Sequence, residues 1–454
     1  MAFPREAALA EGAIDSKKIA KFQDQFESDA RYLQSMNAVA GTPVSKVALN
    51  RRKASKVSHA FSVHLPENKA TAQMSSGRCW LFAALNVFRP RAIKAMNVGD
   101  DFEFSQNYVL FWDKFEKANY FLEAILSTLD EPVGSRLLDH LLMAPVQDGG
   151  QWHMFVNLVR KYGVIPKSVM PETESSSSTG QMSFQITGKL REYACRLRDR
   201  AASGDPESDL REEKERFLGE IYRMLCIHLG EPPSEFLWQW RDKDKKFTRA
   251  GQLTPQEFYE KFVGIDLSEY VCLIHDPRPQ HEFNRTYTVQ FLGNVVEGEP
   301  ILYLNVDIDV MKKAAIAQLQ EGEPVWFGCD VGKYLDRDLG VMDPELFNFD
   351  LVYGANHQMN KAERLMYGHS AMTHAMVFTG VDLDDSDLPL KWRVENSWSE
   401  KPGDKGFFQM SDRWFDEFNY EAVVRKEFVP EETLRALEEP PVELDPWDPM
   451  GSLA

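Results

Sequence analysis

The sequence predicts an α+β protein. Three observations carry that expectation: apolar residues recur at helical spacing through the first third of the chain, short apolar runs of strand character return after Tyr270, and a charged helical stretch lies between them. With 454 residues, 43% hydrophobic and 27% charged, the chain has apolar surface for a large core and for more than one structural unit. A net charge of −18 gives a surface field that disfavours nucleic acid and anionic lipid as partners. No run of about 18 apolar residues occurs, so no membrane-spanning helix is expected. The opening Met1-Ala-Phe-Pro-Arg-Glu6 lacks the apolar run of a signal peptide.

Five parts are expected in order. Residues 1–60 form an N-terminal extension of helix and strand. Its helix covers residues 14–35 on Ile19, Phe22, Phe26, Tyr32 and Leu33, and strand-like alternation runs from Asn37 to Glu67. Residues 61–175 form a helical half. One helix starts near Cys79 and runs until Pro90 disturbs it, and two more occupy Ser105–Leu129 and Gln151–Tyr162. The polar run Thr173–Gly180 reads as a mobile loop or junction. Residues 176–265 read as an inserted helical subdomain. Residues 266–429 form a β half, with strands at Tyr287–Leu292, Ile301–Val306, Val325–Asp330, Ala375–Val381, Lys391–Asn396 and Gly406–Met410. Residues 430–454 form an arm: a short acidic helix, then a tail with Pro440, Pro441, Pro446 and Pro449 that should be extended and irregular.

The five cysteines are scattered and never paired as Cys-x-x-Cys, which fits a reducing compartment without a disulfide framework or a zinc ribbon. Cys79 sits in Gln73-Met-Ser-Ser-Gly-Arg-Cys79-Trp80. A cysteine opening a helix has its thiolate stabilised by free N–H groups and the positive end of the helix dipole. Gly77 allows a tight turn before it. The Gln73 side chain, with the Cys79 N–H, would make a two-donor oxyanion hole. Taken alone, such a cysteine is more often a buried apolar residue than a nucleophile. Its partners decide otherwise. His374 begins an apolar strand, and Asn396-Ser397-Trp398 closes another. Adjacent antiparallel strands would bring His374 beside Asn396, whose oxygen would fix the imidazole tautomer and leave the other nitrogen for the Cys79 sulfur. Trp398 would shield that hydrogen bond. His369 is the rival histidine; His374 is preferred because it abuts the strand.

The ordered set Gln-x5-Cys-Trp, His-Ala and Asn-Ser-Trp resembles papain-like cysteine peptidases. The long separation of Cys79 from His374 and the tail Trp447-Asp-Pro-Met-Gly-Ser-Leu-Ala454 are similar to the bleomycin hydrolase and aminopeptidase C branch of that family. So are Asp148-Gly-Gly-Gln-Trp152, Asp276-Pro-Arg-Pro279, Trp326-Phe-Gly-Cys-Asp330 and Met359-Asn-Lys-Ala-Glu-Arg364. The resemblance implies a papain-like fold, helical part plus antiparallel β part, with a large helical insertion and a C-terminal arm. It implies a catalytic set of Cys79, His374, Asn396 and Gln73. Gly149 and Gly150 would pair with an extended substrate, and Trp398 and Ala454 would line the cleft. Two departures stand out. The disulfide pair of secreted relatives is absent, with Ser76 and Gln147 at its positions, and Ser399 replaces a glycine that often follows Asn-Ser-Trp.

The implied reaction is removal of N-terminal residues from peptides through a thioester acyl-enzyme, needing neither metal nor organic cofactor. An arm in the cleft would place the Ala454 carboxylate against the α-ammonium of peptides with free N-termini. The resemblance further implies a homohexameric ring, a cytoplasmic setting, and hydrolysis of bleomycin and of homocysteine thiolactone. The rivals are a papain-like endopeptidase, a catalytically silent peptide-binding ring scaffold, and a metal site on Cys79, His369 and His374, for which no spacing motif speaks.

Overall fold

The structure is a computed structural model that describes residues 12–454. Met1–Glu6, read above for a leader, lies outside the described residues. Two compact units are present: the first takes the chain up to Val57 with Pro344–Met359, and the second takes Ser58–Asp343 with Asn360–Ala454.

The first unit is helical. Asp15 and Asp29 each accept a hydrogen bond from a backbone N–H in the turn they cap, and they start separate helices, Ser16–Glu27 and Ala30–Gly41. One helix over 14–35 was expected; the second cap, at Asp29, divides it. The strand expected from Asn37 onward is also corrected. The chain stays helical to Gly41 and then forms the short helices Val44–Ala48 and Arg51–Ala54, the latter capped by Asn50. Side-chain caps outweigh an alternation that finds no neighbouring strand.

In the second unit only Val63–His64 of that alternating run pairs, opposite Val381 and Gly380. The unit is built on a mixed sheet whose central strands are all antiparallel. Their order is Tyr270–Ile274, Asn419–Arg425, Val325–Cys329, His374–Leu383, Pro389–Glu395 and Phe407–Ser411. Successive residues of these strands enter two different cores. Trp326, Ala375, Val377 and Val423 face the helices that include Cys79–Met96. Phe327, Met376, Phe378, Ala422 and Val424 face the helix Ile308–Gln320. Burial on both faces makes the strands read as continuous apolar runs rather than alternating ones.

Three expectations change in the helical part. The helix Cys79–Met96 passes through Pro90 instead of ending there. Arg89, in the turn before Pro90, donates to the carbonyls of Phe102, Lys69 and Asp100 at 2.8, 2.9 and 2.9 Å, so tertiary bonds hold the turn that proline weakens. Thr173–Gly180 is not a loose loop: Thr173 and Ser176 close a capping box over Glu174–Ser177, and Ser176 is buried. The insertion is not purely helical. Helices Gly180–Ala202 and Glu207–Leu229 are followed by a β-hairpin, Phe236–Arg241 with Phe247–Leu253, and all pack into the same core as Cys79–Met96.

The arm also makes more regular structure than its prolines suggest. After the helix Glu431–Leu434, Val442–Leu444 adds a parallel strand beside Tyr287–Val289, and Pro449–Gly451 forms one 3-10 turn.

Replacing Arg89 with Met should leave three carbonyl groups without their donor and buried Glu395, 3.5 Å away, without one of its two positive neighbours. A loss of about 3–5 kcal/mol is expected, as for breaking a buried pair, and urea unfolding followed by circular dichroism measures it.

Candidate active site

Arg78 supplies no side-chain cap to the Cys79–Met96 helix, so its first N–H groups remain available at the cysteine. The backbone N–H groups of Ala375, Trp80 and Cys79 itself lie near enough to the Cys79 sulfur to favour its charged form. The first of these belongs to the residue that follows His374. Two indoles hold this turn: Trp326 Nε1 donates to the Trp80 carbonyl at 3.2 Å, and Trp80 Nε1 donates to the Asp148 carbonyl at 2.7 Å. Gly77 is required by close approach, because a Cβ there would lie 2.8 Å from the Asp148 Cβ.

His374 opens its strand and Asn396 follows the end of the next, where Val377 stands opposite Glu395. His374 Nε2 lies 2.9 Å from Asn396 Oδ1, which also accepts the Ser397 N–H at 2.8 Å. An oxygen facing both groups assigns the imidazole proton to Nε2 and leaves Nδ1 as the acceptor. Trp398 lies over the pair, its ring centroid 5.0 Å from that of His374. His374 is buried, whereas His369 is exposed.

Gln73 is tied to the same strand end. Its backbone N–H donates to the Ser397 carbonyl at 2.9 Å, and its Oε1 accepts from Ser397 Oγ at 2.6 Å. Its Nε2 donates to the Ser76 carbonyl at 2.6 Å, which leaves a second amide hydrogen on that nitrogen. Ser399 stands where glycine would be easier: its φ of 71° is left-handed, and its N–H donates to the Thr71 carbonyl at 2.8 Å.

Gly149, Gly150 and Ala454 come together. The Gly150 N–H donates to the Ala454 oxygen at 3.2 Å, and Gln151 Nε2 donates to the Ser452 carbonyl at 2.6 Å. A Cβ on Gly149 would lie 2.7 Å from the Ala454 oxygen. The backbone edge expected to receive an extended substrate is therefore taken by the arm, whose last residue is 5% exposed.

Sequence reasoning missed the charged frame beneath this edge. Lys117 Nζ donates to Gln147 O at 3.0 Å and Gly149 O at 2.7 Å and pairs with Asp113. Lys114 binds the Val146 carbonyl and pairs with Asp148 at 2.6 Å. Burial opposes the charge on Asp148, but Lys114, Thr179 and the Gly77 N–H together keep its carboxyl below the ordinary value. Ser76 and the Gln147 carbonyl, at the two positions noted above for lacking cysteine, each join this polar frame. Ser76 Oγ donates to the Gln73 carbonyl at 2.6 Å and accepts from Arg78 Nε at 2.9 Å, while Arg78 grips Glu172 at 3.0 and 2.9 Å. The available signal was the cluster Asp113, Lys114, Glu116 and Lys117, charges crowded onto a helix that packs in the core.

Burial pushes the Cys79 thiol up to about 11 and the His374 imidazole down to about 4. A standing thiolate of low pKa was expected; the dry pocket instead opposes a charge on either group alone. A proton handed from sulfur to imidazole creates two opposite charges and no net charge. That is the ionised state such a pocket opposes least.

Residues 13–451 match the model of the Peptidase C1-like family. The chain is 44% identical over 455 residues to bleomycin hydrolase of Homo sapiens, covering 98% of this chain and 100% of that protein. It is 46% identical over 419 residues to aminopeptidase C of Listeria monocytogenes, covering 92% of each. Among solved structures, PepW from Lactobacillus rhamnosis HN001 aligns with a TM-score of 0.95 at 44% identity, over 98% of this chain and 100% of that one.

The two histidines are separable by experiment. Alkylation of Cys79 by iodoacetamide should persist below pH 6, because burial lowers the imidazole and the pair gains its extra proton only near pH 4. His374→Ala should slow that reaction at pH 6 at least about tenfold by removing the proton acceptor. His369→Ala should leave it unchanged; the opposite pattern would assign the role to His369.

Proposed function

The chain belongs to the Peptidase C1-like family, in its bleomycin hydrolase and aminopeptidase C branch, and is a cysteine aminopeptidase; we propose that Cys79 is its nucleophile and His374 its general acid and base. Asn396 orients the imidazole, and Gln73 with the Cys79 N–H receives the oxyanion. The thiol proton passes to His374 as sulfur attacks the first peptide carbonyl. The carbonyl oxygen, now anionic, takes hydrogen bonds from the Cys79 N–H and the Gln73 amide. His374 then protonates the departing amine, leaving a thioester, and takes a proton from water for deacylation.

The observation that carries the exopeptidase reading is the contact of Ala454 with the Gly150 N–H. An arm lying there takes the place of residues upstream of the scissile bond. A carboxylate at Ala454 would accept a charge-assisted hydrogen bond from a substrate α-ammonium, which an acetylated terminus cannot donate. Peptides with free N-termini are then the substrates. Bleomycin, through its carboxamide, and homocysteine thiolactone, through its activated acyl group, are candidates for the same acyl transfer.

The reading extends to setting and assembly. A cytoplasmic location is supported by five cysteines that are all free. A homohexameric ring is supported by the first unit, where Ser16–Glu27 has no buried residue and exposes Ile19, Phe22 and Phe26. Light scattering tests the assembly, and a monomer in solution would overturn it.

Cys79→Ala should abolish turnover, and Gln73→Ala should lower kcat by roughly 10²-fold, the usual effect of removing one oxyanion donor. An effect confined to KM would make Gln73 a binding residue only. Deleting Gly451–Ala454 should raise kcat/KM for an N-acetylated peptide relative to its free counterpart. An unchanged ratio would refute the arm's part in selectivity, and efficient cleavage of blocked peptides by the full chain would favour an endopeptidase.

A further inference from the structure

The arm reaches the cleft through a buried ionic cluster that neither the reaction nor the sheet requires. Arg278 is 4% exposed and lies between Pro277 and Pro279, just past the strand Tyr270–Ile274. The two prolines restrict the backbone on either side of it. Its Nε lies 3.0 Å from both Asp276 oxygens, and its Nη2 lies 2.7 Å from Asp276 Oδ2. The outer edge of the guanidinium turns to the arm: Nη2 donates to Asp448 Oδ1 at 2.6 Å, and Nη1 donates to Asp448 Oδ2 at 3.2 Å.

Asp276 is itself fixed from behind. Its N–H donates to Asn305 Oδ1 at 2.9 Å, its carbonyl accepts from Asn305 Nδ2 at 3.1 Å, and His281 Nδ1 lies 2.9 Å from its carboxylate. Burial would raise the Asp276 carboxyl, yet His281 and Arg278 hold it at about 2. The cluster is complete as a structural unit with Asp276, Arg278 and His281 alone. Asp448 is an added partner, and it comes from the arm.

Position along the arm gives that partner its meaning. Upstream, Trp447 lies under the Arg136 guanidinium at 3.8 Å, and Leu444 accepts from the Gln290 N–H at 3.0 Å. Downstream, Met450 is buried, Gln151 Nε2 donates to the Ser452 carbonyl, and the Gly150 N–H donates to an Ala454 oxygen, so no cationic side chain holds the last residues. The Arg278–Asp448 pair is thus a charged tie placed three residues before Gly451, where the segment that meets Gly150 begins. A bidentate pair fixes direction as well as distance.

We propose that the Arg278–Asp448 pair is a latch that positions the arm, making Arg278 and Asp448 specificity-determining residues for free N-termini. The proposal rests on the reading that the arm closes the cleft. When the latch is weakened, the arm leaves the cleft more often, and blocked peptides are cleaved in proportion to that open fraction.

Asp448→Asn tests this while keeping the side-chain oxygen that caps the Met450 N–H. The ratio of kcat/KM for an N-acetylated peptide to that for its free form should rise roughly ten- to a hundredfold, because the ion pair is lost and the amide NH2 cannot accept one of the two guanidinium hydrogen bonds. Asp448→Ser, which also keeps a capping oxygen, should do the same, and Asp448→Glu should stay near the parent ratio. The signal is a gain of cleavage of blocked peptide, which misfolding does not produce. A raised ratio after deletion of Gly451–Ala454 with an unchanged ratio in Asp448→Asn and Asp448→Ser overturns the latch and leaves the arm's closure standing. An unchanged ratio in the deletion as well overturns closure itself, and the latch with it.

Discussion

The first turn of the Cys79–Met96 helix has to end against the first residues of the His374–Leu383 strand, and much of the second unit serves that contact. The Ala375 N–H can act on the sulfur only if the helix is held end-on to the sheet. Trp326 provides the hold from the sheet by donating to the Trp80 carbonyl, and Trp80 in turn donates to Asp148. A sheet buried on both faces gives the strand no freedom to slip, since a shift of one residue would exchange Ala375 and Val377 with Met376 and Phe378 between two filled cores. Cys79 and His374, far apart in sequence, thereby become neighbours fixed to the precision of core packing.

That same contact explains why the juxtaposition of Cys79 and His374 was legible in the sequence and its surroundings were not. Cys79, His374 and Asn396 sit at element boundaries, and boundaries leave marks: a glycine before a helix, a histidine before an apolar run, a polar triplet after one. The strands were legible because two-sided burial leaves uninterrupted apolar segments such as Ala375–Phe378. The extension misled because its caps are single side chains, Asp15, Asp29 and Asn50, set in a pattern that also alternates. The serine run at 173–180 looked loose by composition, yet Ser176 donates to Glu172, which is gripped by buried Arg78. Composition describes a segment by itself. This segment is ordered by the guanidinium of Arg78, the residue next to Cys79.

Charge in the helical core is structural, because three of its buried cations meet backbone carbonyls. Lys114 and Lys117 bind the carbonyls of Val146, Gln147 and Gly149, and Arg89 binds those of Lys69, Asp100 and Phe102. An irregular loop under the Cys79 turn leaves carbonyl oxygens that no ladder can satisfy, and a lysine or arginine from a neighbouring helix supplies the missing donors. Such ammonium groups are costly to bury, and the opposed carboxylates Asp113 and Asp148 reduce that cost. The polar frame therefore does mechanically what a covalent bridge between positions 76 and 147 would do, and it survives reducing conditions, where a disulfide would not.

The arm obeys the same logic at larger scale. A tail confined by one strong contact would still sample many positions at its far end, because each free residue restores chain entropy of about 1–2 kcal/mol. Here the contacts are spread: Val442–Leu444 pairs with a strand, Trp447 stacks under Arg136, Asp448 meets Arg278, Met450 is buried, and Gln151 and Gly150 hold Ser452 and Ala454. Pro446 and Pro449 remove further freedom between these points. Ala454 is consequently placed by the whole series rather than by its own weak hydrogen bond, and the Gly150 N–H that an extended chain would need stays engaged.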